Sequence, residues 1–192
     1  MTKKKRLFYS VLLTFVRGAA KRAEFIKKHH LFGSIGENCT YQSSHFPLYS
    51  NLIFFHNNVR VASRVFFITH DVIHSMLNHC AITEGRIVEK VGCIEVMDNV
   101  FIGSGTRVLY NTRIGSNVII GSGSLVNKDI PDNSVYAGVP ARFICSFDEY
   151  VEKSRKYSEE FKEKFGRSVV KEMDDTLAAM MYEDFKKCRD KE

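Results

Sequence analysis

VMDNVFIGSGTRVLYNTRIGSNVIIGSGSLV, residues 96–126, decides how this chain folds. Every sixth residue in it is aliphatic and β-branched: Val96, Ile102, Val108, Ile114, Ile120 and Val126. Glycine follows directly at Gly103, Gly115 and Gly121, and short side chains (Thr106, Val118, Ser124) recur four places after the aliphatic one. A period of six fits neither the α-helix, which repeats at 3.6, nor the strand, which repeats at 2. It fits a solenoid in which each six-residue unit is one short strand plus a corner. The aliphatic side chain then points into a narrow prism, and glycine stands where the chain bends or passes close to another backbone.

Working outward, an earlier register of the same period runs through Ile35, Tyr41, Pro47, Ile53, Val59 and Val65, with FPLYSNL (46–52) departing from an ideal corner. Val96 follows Val65 by 31 residues, which is not a multiple of six. Residues 71–93 have no six-residue phase and read as an excursion loop, and a loop of that length within a compact repeat points to function. Beyond the repeat, FDEYVEKSRKYSEEFKEKF (147–165) is helical and dense in Glu/Lys pairs. Val169, Met173, Leu177, Met180, Met181 and Phe185 mark a second amphipathic segment whose methionines read as packing. The expected division is a basic N-terminal helix in 1–31, the solenoid in 32–146 and a helical extension in 147–192.

GSGSLVNKDIPDNSVYAGVPARFI (121–144) resembles the last coil and exit strand of the left-handed parallel β-helix acyltransferases. FFITHD (66–71) resembles the segment that carries the catalytic histidine in their sugar O-acetyltransferase and xenobiotic acetyltransferase branch. The resemblance covers roughly Phe32 to Cys145. It implies an all-β solenoid wound left-handed, against the usual crossover rule. It also implies acetyl-CoA as co-substrate, no metal, and a homotrimer with intersubunit sites.

Residue by residue, the resemblance makes His70 the general base. Imidazole suits that task, because a hydroxyl is a poor nucleophile until its proton is taken, and an unperturbed histidine titrates near neutral pH. Ser104 and Ser122 match positions along the pantetheine arm, where a large side chain would block the groove. Asn127, Lys128 and Arg142 match positions near the nucleotide end of coenzyme A, and the two cations suit phosphates as a point charge and a fork. Ser122 and Asn127 stand where the family more often has Ala and Thr. Asp71, His74 and Asn78, with His79, Glu84 and Arg86, are the loop's polar groups for a hydroxyl-rich acceptor.

The rest of the chain bounds this reading. With 192 residues, 44% hydrophobic and 26% charged, it is an ordinary globular chain with a sizeable core. A net charge of +6 favours an anionic ligand or surface, and no nucleic-acid module accompanies it. The five cysteines lack CxxC spacing and read as free thiols in a reducing compartment, hence a cytoplasmic location. Lys3–Arg6 followed by LFYSVLLTFV (7–16) has the outline of a signal peptide. Arg17 and the basic KRAEFIKK (21–28) favour a helix over Lys4–Lys28 instead, its Leu7, Val11 and Phe15 packed on the solenoid end. Its basic, aromatic surface also suits a peripheral membrane contact. The expected activity is acetyl transfer to a hydroxyl of a saccharide or polysaccharide precursor. The alternatives are a small xenobiotic alcohol as acceptor, a zinc hydratase using His70, His74 and His79, and a noncatalytic scaffold.

Overall fold

The computed structural model describes residues 3–43, 46–80, 85–168, 170 and 172–189. Two helices open the chain, α1 (Lys3–Phe15) and α2 (Ala19–Lys28), where the sequence pattern suggested one. Gly18, at φ 93, turns the chain between them, a conformation that favours glycine. Arg22 of α2 donates to the carbonyls of Val16 (2.9 Å) and Gln42 (2.7 Å), and Ala23 and Ile26 are buried. Leu13 of α1 is fully buried, and Tyr9 packs its ring near Phe25 and His29. Leu7, Val11 and Phe15 do not pack on the solenoid. They lie on the other side of α1 from Leu13 and Tyr9, and all three are exposed.

The coils follow. The first holds β1 (Ser34–Ile35) and β2 (Thr40–Tyr41). The second holds β3 (Ile53–Phe55), β4 (Val59–Val61) and β5 (Phe66–Ile68), and the excursion after it carries the short helix α3 (Ile73–Leu77). The third holds β6 (Ile94–Val96), β7 (Val100–Ile102) and β8 (Arg107–Leu109). The fourth holds β9 (Thr112–Ile114), β10 (Val118–Ile120) and β11 (Leu125–Val126). Then come β12 (Ser134–Ala137) and β13 (Arg142–Ser146), which returns antiparallel to β12. The strands stack in parallel into three faces: β1-β3-β6-β9, then β2-β4-β7-β10-β12-β13, then β5-β8-β11.

Most three-residue strands bury their first and third residues and turn the second outward, as strand periodicity requires. This corrects the phase read upstream. Phe55, Val61 and Phe67 pair with Val96, Ile102 and Val108, so Ile53 and Val59 occupy the other inward position, opposite Ile94 and Val100. The slip arises in the first coil: Ile35 pairs with Phe55, whereas Val96 pairs with Ile114, so the opening turn is longer than a regular one. A 3-10 turn at Ser50–Leu52 sits in the corner flagged as irregular. Aromatic rings fill this end of the prism: Phe32 meets Tyr41 and Phe55 edge-on, at 5.7 and 5.3 Å between centroids. Phe55 pairs with Val96, far beyond the regular spacing of Val96 and Ile114, and the excess equals the length of the 71–93 loop.

At one corner an asparagine recurs in every coil, each in the left-handed region at φ 53 to 58: Asn38, Asn58, Asn99, Asn117 and Asn133. Each amide nitrogen donates to the amide oxygen of the next asparagine, at 3.1, 3.0, 3.0 and 2.8 Å. Asparagine tolerates positive φ better than most residues, so it both makes the corner and ties adjacent coils.

Asp148–Glu192 form a second compact unit. It contains α4, which begins at Phe147 and ends at Phe165, and α5 (Asp175–Arg189). Val169 lies outside the described residues. Asp174 caps α5 by accepting from the Leu177 amide (2.8 Å) and pairs with Arg167 (2.7 Å), and these two contacts hold its carboxyl below the usual range. Lys164–Asp184 (2.9 Å) links the helices. These helices and the N-terminal pair mean that only the prism, not the whole chain, is all-β.

Replacing Asn99 by alanine should remove two ladder hydrogen bonds and leave in a left-handed turn a residue that tolerates it less well than asparagine, at a cost of about 2 kcal/mol. Asn99→Gly should lose only the hydrogen-bond part. Urea unfolding of the two variants checks this, and equal midpoints for Ala and Gly would show that the backbone is unstrained.

Candidate active site

Where β5 ends, Thr69 is buried and the chain leaves the prism. It returns alongside itself: His70 bridges Val91 antiparallel, the Asp71 amide donates to the Lys90 carbonyl (3.0 Å), and Gly92 donates to Thr69 (3.0 Å). The loop therefore closes at its base, and the coil resumes at β6 in register. His70 stands at that base. Its ring meets the Tyr49 ring edge-on at 5.2 Å, and its Nδ1 is buried without a partner among the described residues. The Tyr49 hydroxyl donates to Glu89 on the returning arm of the loop (3.0 Å), and this carboxylate raises the phenol above its ordinary pKa.

Asp71 is fixed from two sides. Its Oδ2 accepts from the Tyr110 hydroxyl (2.7 Å), on the next coil, and its Oδ1 accepts from the Ile73 amide (3.1 Å). The Tyr110 bond does most to hold the Asp71 carboxyl below its ordinary value, and the Ile73 amide, Lys90 and His74 act in the same direction. The same bond raises Tyr110. His74, on α3, has a buried Nδ1 without a partner among the described residues.

Asn78 uses both ends of its amide on Ile87, at 2.8 Å each, and so clips the two arms of the loop together. His79 donates from Nδ1 to the Ser75 carbonyl within its own turn (2.6 Å). Glu84 lies outside the described residues. Among the described residues no three His, Cys, Asp or Glu side chains come together as a metal-binding group.

The residues matched to coenzyme A divide between two edges of the β5-β8-β11 face. Ser104 and Ser122 precede it. Ser104 lies 3.2 Å from Ser63, oxygen to oxygen, and the Gly105 and Gly123 amides donate to Ser63 and Ser104 at 3.0 and 2.8 Å. This edge is a column of small residues by necessity, because a β-carbon at Gly103 would come 2.5 Å from the Ser122 nitrogen. Arg142 is exposed at the same edge: the neighbouring Ala141 amide donates to the Leu125 carbonyl (2.8 Å). Asn127 and Lys128 follow the face and are exposed, one coil beyond Tyr110 and on the edge that carries His70.

Sequence patterning missed Tyr49, Glu89 and Tyr110. Tyr110 was accessible in principle, since it stands in the corner after β8 just as Thr69 and His70 stand after β5. Tyr49 sits at φ 53 in the irregular corner, and nothing in a six-residue repeat marks it.

A three-faced parallel β-helix with a histidine at the base of a long corner insertion defines a hexapeptide-repeat transferase, and comparison with known proteins agrees. The bacterial transferase hexapeptide family (six repeats) matches residues 94–128. A galactoside O-acetyltransferase of Lactococcus lactis is 34% identical over an alignment of 148 positions, gaps included, that covers 66% of this chain and 68% of that relative. An Escherichia coli protein named as a lipopolysaccharide biosynthesis O-acetyl transferase is 32% identical over 46% of this chain and 47% of its own length. A solved galactoside acetyltransferase in complex with coenzyme A gives a TM-score of 0.53 at 26% identity, covering 79% of this chain and 86% of that one. A hexapeptide-repeat acetyltransferase from Vibrio cholerae, 20% identical with a TM-score of 0.50 over 76% of this chain and 90% of its own, shares the fold. The chain belongs to the hexapeptide-repeat acetyltransferases, and with them goes the left-handed winding of the helix.

Tyr110→Phe should move the Asp71 carboxyl up toward the ordinary value near 3.9. A carboxylate lowered in the folded state contributes stability above its unfolded pKa, and that stability is lost as pH falls through the folded one. The variant should therefore lose less stability than the parent on acidification below about pH 4. Carbonyl NMR shifts of Asp71 read the titration directly, and an unmoved curve would mean that Tyr110 does not set it.

Proposed function

We propose that the protein transfers the acetyl group of acetyl-CoA to a hydroxyl of a saccharide or polysaccharide precursor, with His70 as general base. The observation that carries this reading is the setting of His70. One ring nitrogen is buried, so Nε2 is the one left open; the Tyr49 ring orients the imidazole, and an ionised Asp71 lies next in sequence. Nε2 takes the proton of the acceptor hydroxyl as its oxygen attacks the thioester carbonyl. Collapse of the tetrahedral adduct forms the ester and breaks the C–S bond, and the leaving thiolate recovers the proton from the imidazolium. Lys128 and Arg142 serve the phosphates of the donor, and the small-residue edge at Ser104 and Ser122 leaves room for its pantetheine arm. Asp71, and His74 beside it, face the acceptor's hydroxyls. The names of the relatives support a saccharide, and the use of acetyl-CoA supports a cytoplasmic location.

Two groups of site residues on opposite edges of one face also support a homotrimer. The edges are separated by the corner and strand from Ser104 to Tyr110, roughly 15–20 Å of chain at 3.3 Å per residue. A groove between copies brings the His70 edge of one subunit to the Ser104, Ser122 and Arg142 edge of the next.

The direct assay is thiol release from acetyl-CoA across a panel of sugars and small alcohols, and release with none of them would overturn the reading. His70→Ala should lower turnover by about 10²–10⁴-fold while the donor KM barely moves. Turnover within a few-fold of the parent would place the base elsewhere, with His74 next to be tested. Mixing subunits tests the shared site: His70→Ala and Ser122→Trp should each be nearly inactive alone, yet co-expressed together they should recover activity well above either. Failure to complement would put base and groove within one subunit.

A further inference from the structure

The excess positive charge of the chain is confined to its first helices. Residues 1–23 hold seven Lys or Arg (the Lys3–Arg6 run, Arg17, Lys21 and Arg22) and no Asp or Glu. The whole chain has 28 basic and 22 acidic residues, so everything after residue 23 holds 21 basic against 22 acidic and is close to neutral. A general surplus of lysine does not explain that distribution.

The same segment carries an apolar face that the fold does not use. Helix α1 buries Leu13 and packs Tyr9, which is sufficient to attach it to α2 and the prism. On its other side Leu7, Phe8, Val11 and Phe15 are 66, 59, 50 and 78% exposed. These four lie within roughly 100° of one another at 100° per residue, so they form a single stripe. A surface helix needs one apolar stripe, and this helix has two.

We infer that α1 is a membrane-surface anchor, with Leu7, Phe8, Val11 and Phe15 seated among the acyl chains of an anionic lipid surface and the flanking cations on its headgroups. Charge selects this occupant. A second copy of the chain meeting face to face would set one Lys3–Arg6 run against another, and the rest of the chain supplies no acidic surplus to receive it. An anionic leaflet offers both the apolar phase and the opposite charge. Spanning is excluded for α1 by length: 13 residues reach about 20 Å, short of the roughly 30 Å hydrocarbon core. Among the described residues no helix is long and apolar enough to cross a membrane. The inference stands independently of the acetyl-transfer chemistry.

Flotation of the full-length protein with vesicles tests it. Vesicles of phosphatidylcholine with about one third phosphatidylglycerol should bind at least about tenfold more protein than phosphatidylcholine alone, with the difference shrinking as salt is raised. The combined Leu7→Ser, Phe8→Ser, Val11→Ser and Phe15→Ser variant should lose about tenfold in binding while keeping its circular dichroism, elution volume and acetyl-CoA turnover. A second variant, Lys3→Gln with Lys4→Gln and Lys5→Gln, leaves the apolar stripe intact and should lose the preference for anionic vesicles. Equal binding to neutral vesicles, no binding, or full binding by either variant overturns the inference. A serine variant that changes elution volume, with no vesicle binding by the parent, would instead make the stripe a contact between copies.

Discussion

The prism depends on parallel stacking of one coil on the next at a strand spacing of about 4.8 Å. Because the coils repeat in register, each residue lies directly over its counterpart, and each position must suit a column of its own kind. Valine and isoleucine stack inward, asparagine amides stack into a hydrogen-bonded ladder, and glycine and serine stack where backbones close up. Charge is the difficult case, since like would lie on like. On the first face Glu95 lies between Phe54 and Arg113 in register, so no carboxylate meets another; it pairs with Arg113 (2.7 Å) and meets the His56 ring (3.1 Å), and these partners, His56 foremost, hold its carboxyl below the usual range.

A repeat that copies itself cannot make a site, because catalysis needs unlike groups close together. The His70 cluster lies where copying stops. His70 and Asp71 open the one long insertion, Tyr49 belongs to the lengthened corner, and Glu89 is on the loop's returning arm. Within the His70 cluster Tyr110 alone comes from a regular corner, and it ties that irregular cluster to the rigid stack. The loop's base is closed by backbone hydrogen bonds, so its presence leaves the third and fourth coils in register.

The solenoid was legible because a period of six over Val96–Val126 has few physical explanations. The loop's extent was legible for the same reason, as the place where the period fails. The upstream phase was not. Both ends of most three-residue strands face inward, and at Ile53–Phe55 both are apolar, so hydrophobicity could not tell which one continues the series. The asparagine ladder became visible only once the unequal coil lengths were known, since no constant period links Asn38, Asn58, Asn99, Asn117 and Asn133. His70 and Asp71 could be nominated because they stand in a motif, FFITHD. Tyr49, Tyr110 and Glu89, which act through contacts distant in sequence, had no local signal. The double apolar character of α1 was present in LFYSVLLTFV, but only the burial of Leu13 and exposure of Phe15 separates its two faces.

The coils are not equal in length. Inward partners stand farther apart along the chain in the opening turn, Ile35 to Phe55, than in the regular part, Val96 to Ile114. They stand closer again in the last turn, from Ile114 to Ile130. A stack of identical turns would present the same outline at both ends, and one molecule could continue the strands of another into an open-ended fibre. Here the opening turn is longer than the regular ones and lies under α2, while the closing one is the shortest and is followed by the reversed strand β13. The two ends are mismatched in perimeter and in strand direction. The uneven coil count, which obscured the repeat in the sequence, thereby gives the column a top and a bottom and keeps it from polymerising end to end.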